Sequence, residues 1–131
     1  MKHTIYVENG VGRAIVETIN LYTPKHDVQA VFQHDVHPGM QRPQKGDEWW
    51  IKDVTRRGMV IFTQDRAILD DERQAVIDSR ARVLALGRGK YTMWEKLRCL
   101  VSQWAAVEDL LASEGPAAVT LWLSRADIER F

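Results

Sequence analysis

With a single cysteine, Cys99, the chain cannot form an internal disulfide, so it is compatible with a reducing compartment. Cys99 lies in a helical pattern with no His nearby to act as its base, and reads as a small buried side chain rather than a nucleophile. Net charge is missing as well. Eighteen Lys and Arg balance eighteen Asp and Glu, so no overall basic field draws in polyanions, and any such contact needs a local patch. No apolar run approaches the length of a membrane span, and Met1 leads straight into a strand pattern without the marks of a signal peptide. A soluble, cytoplasmic protein is the expectation. Internal repeats, low-complexity tracts and domain linkers are also lacking. What is present, 45% hydrophobic and 27% charged residues in 131, is the composition of one globular domain over residues 1–131 with an ordinary core.

The most informative stretch runs from Gly46 to Arg66. Asp47, Trp50, Ile51 and Val54 fall at i, i+3, i+4 and i+7 and share one helix face. Three of the four are apolar and must point inward, which places Asp47 at the head of the inward stripe, as a cap or as a ligand. The helix breaks at Gly58, and Met59 to Phe62 reads as a buried strand that leads to Thr63-Gln64-Asp65. Ligands of open α/β sheets gather outside the carboxyl ends of the strands, and Asp65 follows such an end by two residues.

Elsewhere, His3 to Val7 is β-branched and aromatic, a first buried strand, and Glu8 follows it directly. Gly10-Val11-Gly12 allows a tight turn but lacks the spacing of a dinucleotide fingerprint and the Lys of a P-loop. A helix from Gly12 to about Leu21 and a strand from Asp27 to Phe32 come next. In the polar stretch Gln33 to Lys45, His34 and His37 flank Asp35, but no fourth partner has zinc-ligand spacing, so the stretch reads as a mobile loop beside a site. A helix from the acids at 70–72 to Ser79, a strand from Arg82 to Leu86, and a long helix capped by Thr92 and Glu95 follow. The apolar stripe of that helix (Met93, Leu97, Leu100, Val101, Trp104, Val107, Leu111) is expected to be core. Gly115-Pro116 ends it before a last strand, Ala117 to Leu123, expected at a sheet edge, and a polar tail from Ser124 to Phe131. The alternation of elements predicts an α/β sandwich with a mainly parallel sheet.

Glu8, Asp47 and Asp65 are thereby expected on one rim. Clustered carboxylates repel one another unless a cation sits among them, and hard oxygen ligands suit Mg²⁺ or Mn²⁺, which bind phosphate oxygens beside one or two carboxylates. No Ser-His or Cys-His pair competes for the chemistry. Basic residues needed to hold phosphates cluster between Arg80 and Arg98 (Arg80, Arg82, Arg88, Lys90, Lys96, Arg98), with Arg56, Arg57 and Arg66 flanking the acidic stretch. Arg66, Arg88 and Lys90 are the expected RNA contacts. A phosphoacceptor receiver domain would want paired acids after its first strand, and only Glu8 stands there.

Ile-Tyr-Val-Glu at 5–8, Asp-Glu-Trp-Trp-Ile at 47–51, the run from Arg56 to Arg66 and the strand, loop and helix start from Val83 to Thr92 together resemble the PIN-like ribonucleases, nearest the VapC-type toxin branch of toxin–antitoxin systems. The resemblance implies a PIN-like three-layer α/β/α sandwich. It implies a metal-dependent endoribonuclease, the toxin of a type II pair, acting on RNA with Mg²⁺ or Mn²⁺ and held by a cognate antitoxin protein; a homodimer is open. Catalytic and metal-ligand roles carry over to Glu8, Asp47 and Asp65, with Glu48 as a further metal ligand beside the less compelling Asp70 and Asp71. Two positions depart from the pattern. Glu8 stands where the family has Asp, one methylene longer, and ~1 Å of misplacement can cost on the order of 10²-fold in rate. Gln64 replaces a commonly basic residue. The alternative is a PIN-like module that binds RNA or an antitoxin with weak or lost nuclease activity.

Overall fold

The computed structural model describes residues 3–23, 27–38, 48–65 and 67–131, with Glu48 and Ala67 described by their backbone alone. Six strands form one sheet in the order β2-β1-β3-β4-β5-β6. β1 (His3–Val7), β2 (Val28–Phe32), β3 (Val60–Thr63), β4 (Arg82–Leu86) and β5 (Ala117–Leu121) are parallel, and β6 (Ala126–Arg130) closes the sheet antiparallel to β5. The expected α/β/α sandwich is what forms.

Strand alternation sorts the core into two layers. Ile5, Val7, Val60, Phe62, Leu84 and Leu86 face one side, where they meet α1 (Arg13–Tyr22), α6 (Met93–Ser102) and α7 (Trp104–Ala112). Tyr6, Ile61, Val83 and Ala85 face the other, against α3 (Glu48–Arg56), α4 (Ala67–Asp70) and α5 (Arg73–Ser79). Both faces of the central strands are covered, which is why they read as continuous apolar runs rather than alternating ones. The inward stripe of α3 forms as expected: Trp50, Ile51 and Val54 are wholly buried.

Four expectations need correction. The stretch after β2 is not a loop from the start: Gln33–Val36 forms one helical turn, α2. The long helix is two, α6 and α7, which meet at Gln103. Its stripe is core only in part, since Leu100, Val107 and Leu111 are buried while Met93 and Val101 are exposed. Finally, the polar tail is strand β6, whose backbone pairs along all of β5, so β5 is interior and β6 holds the edge. An edge strand of Ala-Asp-Ile-Glu-Arg carries the charges that discourage further pairing.

Candidate active site at the strand exits

Strand order reverses at β1: the chain pairs β2 on one side of it and β3 on the other. In an open parallel sheet such a reversal leaves a crevice outside the carboxyl ends of the two strands. Glu8 is the first residue past β1 and Asp65 the second past β3, so both acids border that crevice. The Glu8 amide donates to the Phe62 carbonyl at 2.9 Å, continuing the β1–β3 ladder by one residue. Thr63, wholly buried at the end of β3, donates its hydroxyl to Glu8 Oε1 at 2.8 Å and accepts from the Asp65 amide at 2.8 Å. One hydroxyl therefore ties the two acid-bearing turns together.

The turn after Glu8 is held from further sides. Val11 N–H donates to the Glu8 carbonyl at 3.0 Å, closing the turn, and Asn9 N–H donates to Gln33 Oε1 at 2.9 Å. Lys96, on α6, donates its ammonium to the Gly10 and Val11 carbonyls at 3.0 and 3.1 Å. Burial pushes the Lys96 pKa down. Gln64 lies across this turn: a Cβ on Gly10 would come within 2.7 Å of Gln64 Nε2.

Glu8 follows Tyr6 by two residues and so inherits its face of the sheet. Tyr6 stacks on Trp50 with centroids 5.5 Å apart and planes 26° apart. Trp50 belongs to the first turn of α3, whose first residue is Glu48 and which Asp47 directly precedes. The start of α3 is thus anchored on the strand that carries Glu8. Asp47, Arg66 and the Glu48 side chain lie outside the described residues, and among the described residues no group of three or more His, Cys, Asp or Glu is placed to hold a metal ion. In donor chemistry, Glu8 and Asp65 are acceptor-only oxygen ligands, the kind Mg²⁺ and Mn²⁺ take.

Of the two histidines expected in a mobile loop, His37 serves packing instead. His37 is buried, with Nδ1 2.8 Å from the Tyr6 hydroxyl and Nε2 2.7 Å from Asp53 Oδ2. Hydrogen bonding by His37, opposed by burial and reinforced by Arg56 and Arg57, holds the Asp53 carboxyl below its usual range. Burial raises the Tyr6 phenol well above its ordinary pKa. Trp49, 41% exposed, sets its ring edgewise to His37 at 5.4 Å. His34 and Asp35 are exposed, and Asp35 pairs with Arg13.

The basic run from Arg80 to Arg98 divides between the two rims. Arg80 and Arg82 lie at the entry of β4, the opposite rim, where Arg82 donates to the Leu110, Leu111 and Ser113 carbonyls at the end of α7. Lys96 is buried in the β1 turn. Arg88 and Lys90, just past β4, are exposed on the rim of the acids, with Arg88 3.3 Å from Asp70. Thr63 and Gln33 were missed by sequence reasoning, and Lys96, counted there among the phosphate-holding cations, instead holds the turn after Glu8. Lys96 left a signal, since it is one turn from Cys99 and Leu100 on the inward face of α6, where a Lys needs buried acceptors.

No curated protein and no solved structure gives a significant match to this chain. The family model described as PIN like domain matches residues 4–88, which include β1 with Glu8, α3, β3 with Asp65, and β4. The matched segment covers well over half of the 131 residues, and the chain belongs to the PIN-like domain family.

Proposed function

We propose that this PIN-like domain is a Mg²⁺- or Mn²⁺-dependent endoribonuclease, the toxin of a type II toxin–antitoxin pair. The observation that supports it is the pairing of Glu8 and Asp65 through Thr63 at the β1/β3 crevice, in a family whose members are usually nucleases. Glu8, Asp65 and Asp47, with Glu48 beside them, are the residues we assign to the metal. The carboxylates would hold a divalent ion by charge and by oxygen ligation, and its chemistry there would be activation of water and charge compensation at the leaving oxygen. Thr63 engages one Glu8 oxygen and fixes the orientation of the carboxylate. Arg66, Arg88 and Lys90 hold the flanking phosphates as local cations on a chain with no net charge. The toxin reading carries a cognate antitoxin, and the half-exposed Trp49 on α3 is the contact we assign to it.

The test is single-turnover cleavage of a total RNA pool in Mn²⁺ with EDTA as control. The wild type cuts slowly, because Glu8 is one methylene longer than the Asp of the family pattern. Glu8→Asp raises the rate, and Asp65→Asn abolishes cleavage by removing a charge that holds the ion. If wild type and Glu8→Asp are both inert while RNA is still bound, the binding-module reading replaces this one. Cleavage that persists in EDTA or in Asp65→Asn contradicts the metal mechanism.

A further inference from the structure

A series of polar side chains runs through the core between β1 and α3. Tyr6, Gln33 and His37 are buried, and the series ends at Asp53, which Arg56 and Arg57 also reach. With the His37 ring neutral, its donors and acceptors fit in one direction only. The Asp53 carboxylate, kept ionised by His37 and the two arginines, can only accept. His37 Nε2, 2.7 Å away, therefore carries the hydrogen. That leaves Nδ1 bare, and the Tyr6 hydroxyl donates to it at 2.8 Å. With its one hydrogen so used, the Tyr6 oxygen accepts from its other side-chain partner, Gln33. The Gln33 amide nitrogen thus faces Tyr6, while its Oε1 accepts from the Asn9 backbone N–H at 2.9 Å. Every hydrogen in the series points away from Asn9 and toward α3.

The two ends of this series lie on the two elements that carry candidate ligands. Asn9 directly follows Glu8, and Tyr6 precedes it by two residues on β1. At the other end His37 meets α3 at Asp53 and again one turn nearer the helix start, where the Trp49 ring stands edgewise to it at 5.4 Å. Trp49 follows Glu48 directly, and the next residue, Trp50, stacks on Tyr6. Apolar contact between a strand and a helix tolerates small slips. A buried network with every donor and acceptor used holds one arrangement, because any slip leaves a polar group unpaired in the core.

We propose that Gln33, Tyr6 and His37 are positioning residues of the candidate metal site, a directed hydrogen-bond chain that sets the turn of Glu8 against the head of α3. Its effect on a metal rests on the metal reading of Glu8, Asp47 and Asp65; its hold on the Asn9 amide does not. None of the three is a ligand. They act through Asn9 and α3, as the outer partners of metal ligands do, and loss of such partners costs about 10- to 100-fold in metal affinity. Breaking a middle link therefore loosens an end that the substitution does not touch.

The experiment is NMR of the full chain without metal, followed by calorimetric titration with Mn²⁺. In the wild type, long-range proton–nitrogen correlation finds the His37 hydrogen on Nε2 and Nδ1 bare. Tyr6→Phe deletes the hydroxyl, keeps the ring on Trp50 and leaves Gln33 and Asn9 unaltered. It speeds hydrogen exchange of the Asn9 amide by roughly 10-fold, measured relative to the Leu84 amide inside β4, and Gln33→Met does the same. Val107→Ala, a core truncation in α7 that weakens the chain as a whole, leaves that ratio unchanged. Mn²⁺ affinity falls by about 10-fold in Tyr6→Phe and in Gln33→Met. A His37 hydrogen on Nδ1 in the neutral ring, or an Asn9 ratio that Tyr6→Phe leaves unchanged, overturns the directed chain. Mn²⁺ affinity that holds while Asn9 loosens overturns the positioning role. A wild type that takes up no Mn²⁺, with Asn9 still loosened in both variants, sinks the metal reading while the chain's hold on the Glu8 turn stands.

Discussion

Thr63 and Asp53 each connect elements that are far apart in the chain, and each can be removed without a large change of shape. Thr63→Val deletes the hydroxyl that serves Glu8 and Asp65 while keeping a β-branched side chain in the strand. Loss of that shared bond costs about 1–3 kcal/mol of stability, and in the Mn²⁺ cleavage assay the rate falls by at least about 10-fold because the acids lose their common tether. Thr63→Ser, which keeps the hydroxyl, recovers most of the rate. Asp53 gives a pH signature. Its carboxyl is held below the usual range by His37, then by Arg56 and Arg57, against the opposing effect of burial. A depressed folded-state pKa contributes stability that is fully present above the unfolded value of about 3.9 and disappears as pH falls through the lower folded value. The melting temperature of Asp53→Asn therefore lies below that of the wild type at neutral pH, and the gap closes on acidification below about 3.9. A gap that stays constant into strong acid contradicts the assignment.

Helices and strands show how far local pattern carries and where it stops. The α6 start was legible because a capping box is local: Thr92 accepts from Glu95 N–H at 3.1 Å and Glu95 accepts from Thr92 N–H at 3.0 Å. Thr92→Ala should destabilise the chain by about 1 kcal/mol, measured by urea unfolding with an unchanged m-value. The inward stripe of α3 was legible for the same reason, since side-chain period alone decides it. The break at Gln103 was not, because the apolar spacing continues through it and only packing separates α6 from α7. Nor was β6: Asp127, Glu129 and Arg130 read as a solvated tail until β5 supplies a partner for the backbone. At the site, Glu8 and Asp65 were readable from their place after apolar runs. The bridge between them was not, since Thr63 lies 55 residues from Glu8 and only the sheet order brings them together. His37 was misplaced for a related reason: a polar stretch reads as a mobile loop until Tyr6 and Asp53 are found to occupy both ring nitrogens.

At the scale of the whole molecule, one reversal of strand order accounts for the placement of the chemistry. With β2 and β3 on opposite sides of β1, the exits of β1 and β3 are the natural mouth of the sheet, and the acids stand there. The zero net charge is divided between two rims, with Arg82 capping α7 on one and Arg88 and Lys90 free of the core on the other. The domain thus exposes Arg88 and Lys90 on the rim of the acids without an overall basic field. No helix among the described residues is long and apolar enough to cross a membrane. The central claim is that Glu8, Asp47 and Asp65 share one divalent ion at this mouth. A crystal of the wild-type chain grown in Mn²⁺ tests it most directly, by anomalous difference density. A single Mn²⁺ peak within about 2–2.5 Å of carboxylate oxygens from all three residues is the expected result. A rim without such a peak, or Asp47 on the opposite side of the sheet from Glu8 and Asp65, would contradict it.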